Sequence, residues 1–176
     1  MKKGGTGGGN TKTGLNFEGK VDFITFISRQ KDYSVEGINI FYKKKKVAMS
    51  FKKYGFYEYL KSNGVDHTKL ISKKLLPDDA IYVITNNTLF ILEIKFQEVS
   101  GSTDEKLQTC DFKIKQYRKL LAQLNVEVEY IYILNDWFKK PEYKDILDYI
   151  ISIKGCSYYF NYLPLYKIGL PVPGKA

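Results

Sequence analysis

The sequence predicts an α/β domain built on a mixed β-sheet, and three observations lead there. Two β-rich apolar runs, 80–85 and 88–96, are separated only by Asn86-Asn87. Asparagine tolerates the positive φ of a tight turn, so the pair reads as a hairpin. A third run, 127–134 (EVEYIYIL), alternates as a strand does. Long stretches of helical character at 102–124 and 141–153 stand on either side of it. Strands that alternate with helices pair in parallel, and the hairpin adds antiparallel pairing. A length of 176 residues and a hydrophobic fraction of 44% fit one domain with a packed core.

Each element has its own signal. Residues 1–14 (MKKGGTGGGNTKTG) are glycine-rich and polar, and are expected to form a loose arm ahead of a domain spanning 15–176. In 15–31, Leu15, Val21, Ile24 and Ile27 recur at roughly helical spacing, which predicts a first helix. Residues 35–42 and 47–51 flank Lys43-Lys44-Lys45-Lys46 and predict a hairpin with a basic tip. A short helix is expected at 56–63 and the hairpin 80–85/88–96 follows. A long helix is expected over 102–124, then the strand 127–134. Pro141 sits at the start of the next helix, where its missing N–H is tolerated. A last strand is expected at 156–160 and an irregular, proline-bearing tail from Leu163.

Composition narrows the function. Net charge is +9 with a pI near 9.3, which points to a polyanionic partner. Almost all of that charge is lysine; Arg29 and Arg118 are the two arginines, so few side chains suit bidentate reading of guanine. Cys110 and Cys156 are too few for a disulfide framework or a zinc site. The N-terminus carries no apolar signal segment, and no apolar run approaches the ~18 residues of a membrane span, so a cytoplasmic protein is expected. The stretch GGTGGGNTKT lacks the glycine that a phosphate-binding loop places before its lysine; Thr11 stands there. His67 is the one histidine and lies in a polar loop without the partners of a catalytic triad. The Lys43–Lys46 run reads equally as a phosphate clamp or as a hairpin tip kept soluble by charge. The aromatic stretches 130–132 and 158–162 read as core and dimer surface.

The chemistry is concentrated in one hairpin. Pro77-Asp78-Asp79 precedes its first strand, and Glu93-Ile94-Lys95 ends its second. Alternate side chains of a strand share a face, so Glu93 and Lys95 point the same way, opposite to a buried face of Leu92, Ile94 and Phe96. Two carboxylates and the Ile94 carbonyl form a hard-oxygen set suited to Mg²⁺ beside a phosphodiester, with Lys95 to orient water or stabilise developing charge. The residues alone leave Asp79 as a competitor for Asp78. A solvated salt bridge between Glu93 and Lys95 is the bland reading of the same residues.

Pro77-Asp78, fourteen intervening residues and then Glu93-Ile94-Lys95 resemble the signature of the PD-(D/E)XK nuclease superfamily. With the segment 96–117 (FQEVSGSTDEKLQTCDFKIKQY), the chain resembles a type II restriction endonuclease of the EcoRI/MunI branch, over about residues 75–120. The resemblance implies a restriction-endonuclease-like sheet flanked by helices, with Mg²⁺ held by Asp78, Glu93 and the Ile94 carbonyl. Lys95 would assist the attacking water. A further acid on the first helix would fall on Glu18. It also implies a homodimer that cuts double-stranded DNA at a short palindrome, leaving 5′-phosphates, and a DNA methyltransferase encoded nearby. Base edges would be read just beyond the catalytic strand, by Ser100, Gly101, Ser102, Thr103, Gln108 and Thr109. Lys106, Lys113 and Lys115 would meet phosphates. This segment has no arginine, and Arg118, a turn further on, is the nearest candidate. The alternatives are a structure-selective nuclease of the Holliday-junction-resolvase type and a non-catalytic DNA-binding protein.

Overall fold

Seven strands form one mixed sheet flanked by helices, the α/β arrangement expected from the sequence. The computed structural model of the chain describes residues 14–16, 22–98 and 103–173. The sheet runs β2 (Tyr33–Glu36), β3 (Asn39–Tyr42), β4 (Lys45–Phe51), β5 (Asp79–Val83), β6 (Thr88–Lys95), β7 (Glu127–Leu134) and β8 (Cys156–Phe160), each beside the next. From β2 to β6 neighbours are antiparallel; β6, β7 and β8 are parallel. Parallel neighbours need a crossover, and helices supply both. α3 (Thr103–Leu107) and α4 (Cys110–Leu121) lead from β6 to β7, and α5 (Lys144–Ser152) leads from β7 to β8.

Both faces of the central strands are covered, so β6 is a continuous apolar run rather than an alternating one. On one face Leu89, Ile91, Tyr130 and Tyr132 pack against α4, α5 and α2 (Gly55–Ser62). On the other, Phe90, Leu92, Ile131 and Ile133 pack against α1 (Phe23–Ser28) and the C-terminal segment of Leu163, Leu165 and Ile168. α4 buries Cys110, Ile114, Tyr117, Leu120 and Leu121, one stripe at helical spacing. The predicted strands at 127–134 and 156–160 form with those bounds, and the hairpin forms as Asp79–Val83 and Thr88–Lys95 with Asn87 at φ 52. The Lys43–Lys46 hairpin also forms; Lys43 and Lys44 take the turn at φ 48 and 65, and all four lysines are exposed.

Four expectations are corrected. The first helix does not span 15–31: it is α1 alone, and Leu15 lies in β1 (Gly14–Asn16), paired with β9 (Tyr162–Pro164). The helix starts late because Asp22 caps it, its carboxylate accepting from Thr25 N at 2.9 Å. The expected strand 35–42 is two strands, since Gly37 at φ 59 turns the chain between Glu36 and Asn39. The helix expected over 102–124 breaks at Gln108-Thr109, where the Lys106 carbonyl accepts from Thr109 Oγ1 at 2.7 Å and from the Tyr132 hydroxyl at 3.1 Å. A side-chain hydroxyl competing for a backbone carbonyl loosens a helix there, and the buried tyrosine needs that acceptor. The tail is less irregular than expected, because β9 and a 3₁₀ turn (Leu165–Ile168) follow the last sheet strand. The arm 1–14 lies almost wholly outside the described residues. Among those residues no helix is long and apolar enough to cross a membrane.

Gly155, in the turn from α5 to β8, has φ +86, and a Cβ there would meet Ile114 Cδ1 at 3.0 Å and the Val128 carbonyl at 3.2 Å. Gly37 has φ +59 but open space around it. Gly155→Ala is therefore expected to cost about 2 kcal/mol or more, and Gly37→Ala about 1 kcal/mol. Urea unfolding of both variants checks the order; equal costs would contradict the packing described.

Candidate active site

The hairpin register decides which acid faces which. β5 pairs with β6 from Val83↔Thr88 to Asp79↔Leu92. Asp79 thus shares the α1 face with Leu92, while Asp78, one residue earlier, falls on the α4 face with Glu93 and Lys95. Continuing the register by two residues would set Pro77 opposite Ile94. Proline has no N–H, so it cannot give the Ile94 carbonyl a ladder bond, and the ladder stops. The Asp78 carboxylate takes over instead, accepting from Ile94 N at 2.9 Å. The segment that delivers Asp78 is tethered to α2: the Tyr57 hydroxyl accepts from Leu75 N at 2.7 Å and donates to its carbonyl at 2.9 Å.

One ammonium group gathers the three oxygens named from the sequence. Lys95 Nζ lies 2.7 Å from Glu93 Oε2, 3.3 Å from the Ile94 carbonyl and 3.9 Å from Asp78 Oδ2. A cation therefore already occupies the hard-oxygen set, and the donor chemistry fits Mg²⁺. Among the described residues no group of three His, Cys, Asp or Glu side chains forms a metal cage. Two carboxylates and a carbonyl leave room for water and substrate oxygens, as Mg²⁺ requires. Glu18 lies outside the described residues.

Glu93 does not lie on a solvated face. It is only 8% exposed, because α4 covers this side of β6, while Phe96, expected in the core, is exposed and Ile94 is half-buried. Burial alone would push the Glu93 carboxyl up; Lys95 and Lys113 reverse that and hold it below the usual carboxylate range. Lys113 reaches Glu93 Oε1 at 3.0 Å from α4. The second lysine of the site is thus a residue that the sequence assigned to phosphate contact. Its signal was available: Lys113 is three residues from Cys110 and four from Tyr117, on the flank of the buried stripe. Its ammonium also lies 5.8 Å from the centre of the Tyr130 ring, whose buried hydroxyl has no hydrogen-bond partner.

The other site candidates spread along the neighbouring crossover. Lys106 and Gln108 are exposed at the end of α3 and beyond it. Thr109 is half-buried, with its hydroxyl committed to the Lys106 carbonyl. Lys115 is exposed and pairs with Asp111 at 2.7 Å. Arg118 donates to the Lys154 carbonyl at 2.8 Å. Thr103 begins α3, and Ser100, Gly101 and Ser102 lie outside the described residues. His67 packs its ring edge-on against Tyr57, and both cysteines are buried free thiols. Two surface clefts, of about 590 and 720 Å³, lie elsewhere: around Tyr54, Lys61 and Lys74, and around Gln108, Glu142 and Tyr149. An open hairpin edge, not an enclosed cavity, carries the carboxylates. Comparison with models of known families, with curated proteins and with solved structures returns no match.

Asp79 has the opposite character to Asp78. It is 3% exposed, its Oδ1 has no hydrogen-bond partner, and burial pushes its carboxyl up to about 6. Asp22 and Asp78 add to that rise, while Lys52 and the Phe23 N–H oppose it. An acid whose folded pKa is raised contributes most below its unfolded pKa of about 3.9, and that contribution is lost as pH rises through about 6. Asp79→Asn is therefore expected to gain stability relative to the parent protein between pH 4.5 and 7.5, by at most about 3 kcal/mol. Urea unfolding at the two pH values measures the change; a difference independent of pH would contradict a buried, ionising Asp79.

Proposed function

We propose that this chain is a Mg²⁺-dependent endodeoxyribonuclease of the PD-(D/E)XK type, with a restriction-endonuclease-like fold. In this reading it works in the cytoplasm as a homodimer on a short palindrome in double-stranded DNA, beside a companion methyltransferase. The observation that carries this reading is the convergence of the Asp78, Glu93 and Ile94 oxygens on the Lys95 ammonium. The surplus of positive charge, and the exposed Lys106 and Lys43–Lys46, supply the electrostatics for a polyanion.

Asp78, Glu93 and the Ile94 carbonyl would hold the metal. A Mg²⁺ ion held there would supply polarisation of a phosphoryl oxygen and a lowered pKa for a bound water. The chain's own residues do the rest. Lys113 keeps Glu93 ionised inside the sheet, so the charge is ready before substrate arrives. Lys95, released from the oxygens it neutralises in the free protein, presents its ammonium to the attacking water and to charge developing on the phosphate. The water oxygen bonds to phosphorus, the bond to the 3′ oxygen breaks, and the products are a 5′-phosphate and a 3′-hydroxyl. Asp79, on the far face, takes no part.

Digestion of a sequenced phage DNA with Mg²⁺, with the fragment ends read, tests the reading. Discrete ends at one short palindrome are expected. Asp78→Ala and Glu93→Ala should each lower the cleavage rate at least about a hundredfold while DNA binding in Ca²⁺ persists. Asp79→Asn should cleave within about threefold of the parent. Cleavage retained in Glu93→Ala would remove the assignment. Cutting of branched DNA but of no linear duplex would indicate a junction resolvase, and tight salt-sensitive binding with no cleavage a non-catalytic DNA-binding protein.

A further inference from the structure

Gln97 lies two residues beyond Lys95, where β6 has ended but its pairing with β7 is continued by side-chain bonds. Gln97 N donates to Asn135 Oδ1 at 3.3 Å, and Asn135 Nδ2 donates to the Gln97 carbonyl at 2.8 Å. These bonds carry the β6–β7 pairing past Lys95, and strand alternation continued by two residues puts position 97 on the face of Glu93 and Lys95. Its side chain is the anomaly. The residue is 7% exposed, and both Nε2 and Oε1 are buried without a hydrogen-bond partner. Buried polar groups are nearly always satisfied, and an amide left unmet at both ends is a standing cost in the free protein. Among the described residues Gln97 is the one side chain with two separate buried polar atoms, both unmet.

We infer that Gln97 contacts the substrate: its Oε1 accepts from the attacking water, and its Nε2 donates to a non-bridging oxygen of the scissile phosphate. The inference rests on the reading of Asp78, Glu93 and Lys95 as a phosphodiester hydrolase. An in-line attack needs a group that accepts from the water and another that donates to the phosphate, and one amide plane offers both without titrating. Lysine has no acceptor, and a carboxylate would repel the phosphate, so neither lysine nor acid in the site can replace it. Three side-chain torsions let the amide swing toward the substrate while Asn135 holds the backbone. The swing breaks no hydrogen bond, because the amide makes none in the free protein. Gln97 gains and loses no proton. The water oxygen bonds to phosphorus, the bond to the 3′ oxygen breaks, the water gives a proton to solvent, and the departing oxygen takes one from solvent.

The test compares the full-length protein with Gln97→Met, of similar shape but without donor or acceptor, and with Gln97→Glu, which keeps only an acceptor. Duplex cleavage with Mg²⁺ and thermal unfolding without DNA or metal are measured on all three. Both variants are expected to lose about a hundredfold in kcat with KM within about threefold. The melting temperature of Gln97→Met should be unchanged or raised by up to about 5 °C, since an unmet amide is removed. Cleavage by Gln97→Met at the parent rate would overturn the inference and leave the Asp78, Glu93 and Lys95 reading standing. A melting temperature lowered in both variants would make Gln97 a structural residue and overturn it too. A parent protein that cuts no duplex would remove the reading itself, and the inference with it.

Discussion

Everything at this site depends on how one carboxylate keeps its charge inside a sheet. Glu93 is nearly enclosed by α4, and an unpaired buried carboxylate costs several kcal/mol. Two ammonium groups, one on each oxygen, meet that cost: Lys95 at 2.7 Å and Lys113 at 3.0 Å. The result is a negative charge fixed on strand backbone between one ammonium from the covering helix and one from its own strand. Among the described residues Lys95 contacts oxygens of Glu93, Ile94 and Asp78, the same set that the proposed reading assigns to a divalent cation.

The end of the β5–β6 ladder leaves the Ile94 carbonyl free of a β5 backbone partner. Had the ladder continued, the Ile94 carbonyl would be spent on a backbone partner. Proline at 77 prevents that, and its own burial anchors the turn. The same interruption leaves Ile94 N to be taken by Asp78, which orients that carboxylate toward Lys95. A two-residue period then separates the neighbours sharply: Asp78 is half exposed at the edge, while Asp79 is enclosed against α1 and shifted toward neutrality. Adjacent residues of the same type acquire opposite chemistry from the pleat alone.

Much of this was legible in the sequence, for reasons that can be stated residue by residue. Strands 127–134 and 156–160 were readable because each shows strand-type residues within clear limits, and the hairpin because Asn86-Asn87 leaves no room for anything but a turn. That Glu93 and Lys95 share a face followed from spacing. The break at Thr109 was not readable, since it depends on a carbonyl shared with Tyr132 on another element. Nor was the burial of Glu93, because it needs the position of α4 over β6. The contact of Lys113 with Glu93 was hidden for the same reason: the sequence shows a charge on a helix, and only the crossover brings it to Glu93. The late start of α1 could have been found in Asp22 and Thr25, whose spacing is that of a helix cap.

The central claim is that Lys95 stands in the free protein where a divalent cation binds. Calorimetric titration of the full-length protein with Mg²⁺, without DNA, measures this directly across the parent, Lys95→Met and Asp78→Asn. Removing the competing ammonium should make Lys95→Met bind Mg²⁺ more tightly than the parent, and losing a donor oxygen should make Asp78→Asn bind it more weakly. Equal affinity in all three, or weaker binding by Lys95→Met, would contradict the account.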